Sequence, residues 1–264
     1  MKMILAGMAM LLATAATAQT AAMAVAEAMQ QAGAAAPQAK IPPGYLNGKP
    51  PVDILRLLPP PPAPGSMQDI ADRSAYAASA SGIGDAAWQR AVSQLNPTSP
   101  AFFEQLSCAV GARISPQATP ATLALITRTG VDFAAPMTIA KNFHKRARPF
   151  TIDKGRACDP VAADGVGKKL GYGYPSGHAG IGWLWALVLS DAVPARADAI
   201  RSFGIATGDL RLACRVHWLS DVTQGRTLAV SVYDRLAAEP EYRADVARAR
   251  DELAKAPPLA CPAS

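Results

Sequence analysis

Tyr174-Pro-Ser-Gly-His-Ala-Gly-Ile-Gly-Trp-Leu-Trp-Ala-Leu-Val-Leu189 is the stretch on which the reading of this chain turns. From His178 onward its apolar residues recur at helical spacing, without the two-residue alternation of a strand. The run 180–189 is apolar but far shorter than the roughly 20 residues that cross a bilayer, so a buried core helix is expected. Its leader puts Ser176 where a helix cap belongs and Gly177 where a backbone can approach a ligand closely.

Working outward, the same punctuation recurs. Ser66 with Asp69 has the form of a capping box, and Ser99-Pro100 and Thr119-Pro120 each set a cap residue before a first-turn proline. Apolar residues in 101–110, 123–139 and 227–236 also keep helical spacing. An all-α fold with no internal repeat follows. Between Phe150 and Tyr174 lie five glycines and several charges, which predicts a long surface loop. Toward the N-terminus, Leu57-Leu58-Pro59-Pro60-Pro61-Pro62 is locally stiff and is expected to lie as an extended arm on the helical body.

Met1-Lys2, an apolar run from Met3 to Leu12 and the small residues Ala16-Thr17-Ala18 form the three-part pattern of a cleavable secretory signal. No cysteine follows it to take a lipid. The expected organisation is a signal at 1–18, a disordered or extended Ala- and Gln-rich linker at 19–43, one domain at 44–255 and a tail at 256–264, in a periplasmic or secreted protein with no membrane span after cleavage. The 264-residue chain carries a net charge of +6, and removing residues 1–18 leaves +5, a balance suited to anionic substrates. Its basic residues are dispersed except over 141–148, and neither zinc-finger spacing nor an aromatic-plus-basic RNA signature is present, so a nucleic-acid polymer is not the expected partner. Cys108, Cys158, Cys214 and Cys261 form no CxxC pair. Export permits two disulfides in any of three connectivities, with buried free thiols as the alternative.

Three clusters carry chemistry. Lys141-Asn-Phe-His-Lys-Arg-Ala-Arg148-Pro149 alone would pass for a solvated face, but Lys141 and Arg148 are also able to grip a phosphate. Pro175-Ser176-Gly177-His178 opens a helix, whose N-terminal N–H groups attract anions, although a plain cap has the same form. Arg211-Leu-Ala-Cys-Arg-Val-His217-Trp-Leu-Ser-Asp221 sets a histidine and an aspartate four apart, as on one helical face, where the carboxylate would fix the ring tautomer. Taken singly, such a pair is usually structural. His144 reads as a rim residue, and Trp183, Trp185 and Trp218 as core.

In this order and at these spacings the clusters resemble the signature of the phosphatidic acid phosphatase type 2 (PAP2) superfamily: Lys, six residues, Arg-Pro; Pro-Ser-Gly-His; Ser-Arg, five residues, His, three residues, Asp. Leu210 stands where the family has serine, and Arg215 is larger than the small residue expected there. Gly44-Tyr45-Leu46, the proline block and Ala71-Asp-Arg-Ser-Ala-Tyr76 extend the similarity to bacterial class A non-specific acid phosphatases. The resemblance implies a single compact helical domain of the PAP2 and vanadium haloperoxidase type. It also implies broad, metal-independent hydrolysis of small phosphate monoesters, with no cofactor. It further implies catalytic roles for His217, His178 and Asp221 and phosphate binding by Lys141, Arg148, Ser176, Gly177 and Arg211. The alternatives are a vanadium-dependent haloperoxidase and a phosphate-binding protein with a decayed site. Phosphotransfer to alcohols and assembly into a homo-oligomer are left open.

Overall fold

The structure, a computed structural model of the chain, describes residues 42–46, 53–165 and 168–261. The expected signal and the linker up to residue 41 lie outside the described residues. Ten α-helices are described: α1 Ile54–Leu57, α2 Met67–Ala78, α3 Ala86–Ser93, α4 Pro100–Val110, α5 Pro120–His144, α6 Pro149–Ile152, α7 Gly177–Ala192, α8 Ala197–Ala213, α9 Leu219–Ala237 and α10 Pro240–Leu253. Among the described residues there is no β-strand, only an isolated bridge between Ala112 and Pro258.

Helix α7, the stretch quoted at the outset, is the axis of the fold. It packs against α5, α8, α9 and α10. Ala179, Ile181, Leu184, Trp185, Val188 and Leu189 are buried over most of its circumference, and beyond His178 only the stripe of Trp183, Leu187 and Asp191 is half-buried, the pattern of a core helix. Trp185 meets the rings of Phe102 and Phe103 and donates from Nε1 to the Ile126 carbonyl at 2.8 Å. Burying each such side chain is worth about 1.5–3 kcal/mol. Where α7 crosses α9 the backbones touch: a Cβ at Gly225 would overlap the Ser176 carbonyl, and one at Gly180 would stand 2.8 Å from the Gly225 carbonyl oxygen.

A second apolar cluster joins Tyr76, Trp88, Phe150, Cys158, Leu210, Cys214, Val216 and Trp218. It lies under the segment 150–174, which is therefore more than a surface loop. Phe150, Cys158, Ala162 and Tyr174 are buried, and a disulfide from Cys158 to Cys214 ties the segment to the end of α8. The other disulfide, Cys108–Cys261, anchors the C-terminal tail to α4. All four thiols are paired.

The expected helix starts are present, with differences in how they are capped. Ser66 Oγ accepts from Asp69 N, but the Asp69 carboxylate returns to Gly65 N. Ser99 Oγ accepts from Phe102 N, as expected. Thr119 does not cap α5, because its hydroxyl donates to the Arg113 carbonyl. Glu252 of α10 supplies the cap, accepting from Ala121 N at 2.9 Å and Thr122 N at 2.8 Å. The proline arm lies on the body as expected, with Leu58 buried and the Tyr174 hydroxyl donating to the Pro59 carbonyl. Asp132 holds the described N-terminal residues by accepting from Tyr45 N at 2.7 Å and Leu46 N at 3.0 Å.

Candidate active site

The three clusters meet at the N-terminal end of α7. Lys141 stands in the last turn of α5, Arg148 just ahead of α6, Ser176 at the N-cap of α7, and Gly177 and His178 in its first turn. Arg211 lies in the last turn of α8 and Asp221 in the first turn of α9. The Ser176 N–H donates to the Asp221 carbonyl at 2.9 Å, which bonds the second cluster to the third.

His217 and Asp221 do not share a helical face, contrary to their spacing. His217 precedes α9, and Asp221 reaches back from its first turn, where Oδ2 accepts from Trp218 N at 2.9 Å and lies 3.2 Å from His217 Nδ1. The carboxylate thus caps the helix and orients the ring at once. Since an ionised carboxylate only accepts, Nδ1 carries the ring hydrogen and Nε2 is left with a bare lone pair. That nitrogen faces Arg148 Nη1 at 3.1 Å. His178 is arranged the other way round. Its Nε2 lies 3.0 Å from the Leu95 carbonyl oxygen, which only accepts, so Nε2 is protonated and Nδ1 is bare.

The cations are held by neutral groups. Lys141 Nζ donates to the Tyr172 carbonyl at 2.6 Å. Arg148 donates to the carbonyls of Gly171, Leu170 and Val216, each at 2.8 Å. Arg211, 1% exposed, donates from one terminal nitrogen to the Ala91 carbonyl at 3.0 Å, while its buried Nε has no acceptor. Among the described residues none of the three makes an ion pair with a carboxylate. Buried positive charge with no carboxylate in contact is unfavourable, and an anion among the three resolves it. At the mouth of the cradle the first N–H groups of α7 have no intrahelical acceptor, and a Cβ at Gly177 would meet only Met137, at 3.7 Å.

Burial shifts every titrating group here, and the concentration of positive charge adds to the shift at Lys141, His178 and His217. Burial and then Arg148 bring Lys141 down to about 7. Burial and then Arg211 bring His178 down to about 3, and burial with Arg148, Lys141, His178 and Arg211 holds His217 well below its ordinary value. Burial pushes Asp221 up to about 6 against the opposing pull of Arg146. Both imidazoles are neutral at pH 6–7 in the field of the protein's own groups.

Arg146 and Asp72 complete the site, and the spacing arguments did not single them out. Arg146 Nη1 donates to Asp221 Oδ1 at 2.6 Å and Nη2 to Asp72 Oδ2 at 2.6 Å. The only sequence signals were the density of charge at 141–148 and the similarity over 71–76. Arg215 turns away from the pocket: it donates to the Tyr76 carbonyl and Ser79 Oγ, and its guanidinium lies 3.9 Å from the centre of the Tyr76 ring. Leu210 is buried in the second apolar cluster. His144 is half-buried edge-on to Tyr174, and Trp185 and Trp218 are core residues. A cleft of about 520 Å³ lies behind the site, between the proline arm, α2 and α9; it reaches Asp72, Tyr174 and Ser220 but neither histidine.

Residues 118–234 match the model of the PAP2 superfamily. The chain is 32% identical to a non-specific acid phosphatase of Providencia stuartii over 228 residues, 82% of this chain and 91% of the relative. It is 34% identical to a non-specific acid phosphatase of Salmonella typhimurium over 200 residues, 74% and 78% of the two chains. An acid phosphatase of Zymomonas mobilis is 31% identical over 204 residues, 77% of this chain and 76% of the relative.

Proposed function

The chain belongs to the PAP2 superfamily, and on that premise we propose that it is an acid phosphatase hydrolysing phosphate monoesters in two displacements, with a phosphohistidine on His217 between them. The observation that carries this reading is the convergence of Lys141, Arg148 and Arg211, none paired with a carboxylate, around the bare Nε2 of His217. Phosphoryl transfer asks a protein mainly for positioning and for positive charge on the equatorial oxygens.

In the first displacement His217 Nε2 donates its lone pair to phosphorus while the ester P–O bond breaks. The leaving oxygen takes a proton from Nδ1 of His178, and Asp221 stabilises the positive ring left on phosphohistidine. In the second, His178 removes a proton from water, which attacks phosphorus and releases phosphate and the free imidazole. Lys141, Arg148, Arg211, Ser176 and the Gly177 backbone bind the phosphoryl oxygens. His178, held down by burial and then by the neighbouring cations, gains its proton when the phosphoryl dianion arrives among them and offsets their charge. With Asp221 titrating near 6 and Lys141 near 7, a bell-shaped kcat/KM profile is expected, with its maximum slightly to the acid side of neutral.

The relatives in Providencia stuartii and Salmonella typhimurium are named non-specific acid phosphatases, and broad specificity for small phosphate monoesters is proposed for this chain. Export is supported by the N-terminal pattern at 1–18 and by two disulfides, and no described helix is long and apolar enough to cross a membrane. Hydrolysis of a panel of phosphomonoesters in excess chelator tests the reading. Undiminished turnover of several chemically unrelated esters is expected, and activity abolished by chelator and restored by a divalent metal would contradict it.

A further inference from the structure

We propose that Arg146, clamped by Asp72, is a positioning residue that keeps the Asp221 carboxylate ionised and aimed, so that His217 presents Nε2 rather than an N–H to phosphorus. This deepens the proposed function and rests on His217 being the nucleophile. Arg146 takes no part in the phosphate cradle, because its fork is committed elsewhere. Nη1 donates to Asp221 Oδ1 at 2.6 Å and Ser220 Oγ at 2.7 Å, and Nη2 donates to Asp72 Oδ2 at 2.6 Å. Asp72 is fixed in turn by Ser220, whose N–H and hydroxyl donate to its two oxygens at 2.7 and 2.5 Å. The Arg146 carbonyl accepts from Gly173 N at 2.8 Å, and its guanidinium lies 5.5 Å from the Trp218 ring and 5.9 Å from the Tyr174 ring. Backbone and side chain are therefore held from α2, from α9 and from the strap leading into α7.

The consequence follows from hydrogen-bond chemistry. Ionised Asp221 accepts from Nδ1, which leaves Nε2 bare. Protonated Asp221 would donate to Nδ1, moving the ring hydrogen to Nε2, and a nitrogen bearing that hydrogen has no lone pair with which to form the N–P bond. Burial alone drives Asp221 toward the acid form, and Arg146 is the nearest opposing charge. The other groups facing the pair are Lys141 from α5, Arg148 ahead of α6, Asp72 from α2, Tyr174 and His178 at the head of α7, and Arg211 from α8. None of these donates a side-chain hydrogen bond to the Asp221 carboxylate, whereas Arg146 does.

The test is the pH dependence of kcat/KM for nitrophenyl phosphate in the wild type, Arg146→Met and Arg146→Lys, with the inhibition constant of inorganic phosphate measured alongside. Without the cation Asp221 holds its proton to higher pH. The acid limb of Arg146→Met should therefore move up by at least about one unit, with a loss at pH 5 at least about tenfold greater than at pH 8. Phosphate inhibition at pH 8 should change less than about threefold, since the cradle is intact, and Arg146→Lys should return the limb to within about half a unit of wild type. A loss uniform across pH, a change in KM alone, or an Arg146→Lys profile matching Arg146→Met would overturn the proposal. If Arg146→Met does not fold, Arg146→Gln gives the same comparison under the same criteria. His217→Ala separates the two levels: if it keeps turnover the nucleophile assignment falls and this proposal with it, whereas an inactive His217→Ala beside an unmoved Arg146→Met limb removes this proposal alone.

Discussion

His217 is buried and His178 half-buried, both neutral beside the same cations, yet each offers a different nitrogen because its hydrogen-bond partner differs: a carboxylate at Nδ1 of one, a carbonyl at Nε2 of the other. That difference ranks their substitutions. His217→Ala should abolish turnover, whereas His178→Ala should lose about 10²- to 10⁴-fold on alkyl esters and much less on nitrophenyl phosphate, whose leaving group needs no proton. Steady-state kinetics on the two ester classes checks this, and the reverse ranking would exchange the roles. Lys141 gives a second prediction. With its folded value near 7, it is largely neutral at pH 8, and a bound phosphate dianion favours its charged form. Phosphate binding at pH 8 should therefore take up protons and weaken as pH rises further, in contrast to simple ion exchange at a lysine charged throughout. Calorimetry in two buffers of different ionisation enthalpy measures the uptake.

At the scale of elements, the geometry of the candidate site depends on how closely α7 approaches α9. Gly225 sits under the Ser176 carbonyl, one residue from the N–H groups that begin α7, and Ser176 N is bonded to the Asp221 carbonyl. Gly225→Ala should cost about 1–3 kcal/mol of stability through overpacking and should lower kcat as well, because Ser176 and Asp221 must move together. Glu252→Ala provides the contrast. It removes the cap of α5 at the end remote from Lys141, so about 1–2 kcal/mol of stability should be lost with kcat little changed. Denaturant unfolding and kinetics on the two variants separate the effects. The same pair shows what could be read from the chain. Ser66, Ser99 and Ser176 announced their helices because a cap is a local event, three residues long. Thr119 announced the right helix but does not cap it, since the acceptor arrives from Glu252, 130 residues beyond Thr122, and no local pattern encodes that.

Across the whole molecule, the three clusters proposed as the site were legible because each is short and their order is preserved, while their support was not. Asp72 and Arg146 are 74 residues apart, and their meeting depends on α2 folding against α9. The disulfide pairing was open among three connectivities and resolves as Cys108–Cys261 and Cys158–Cys214. By chain entropy the two bridges, closing 153 and 56 residues, are worth similar amounts, about 4–5 kcal/mol each. Their functional weights should differ. Cys158–Cys214 joins the segment whose carbonyls hold Lys141 and Arg148 to the turn that carries His217, so Cys158→Ser/Cys214→Ser should lower kcat/KM at least about tenfold. Cys108→Ser/Cys261→Ser should lose stability and keep its activity in native conditions. Rapid acid–base partition of the phosphoenzyme goes most directly to the central claim: the enzyme is quenched during turnover of a ³²P-labelled phosphomonoester and the labelled peptide is identified. Acid-labile, base-stable label on the peptide containing His217, absent from His217→Ala, is the expected result; label on Ser176, or no covalent label during turnover even in His178→Ala, would contradict it.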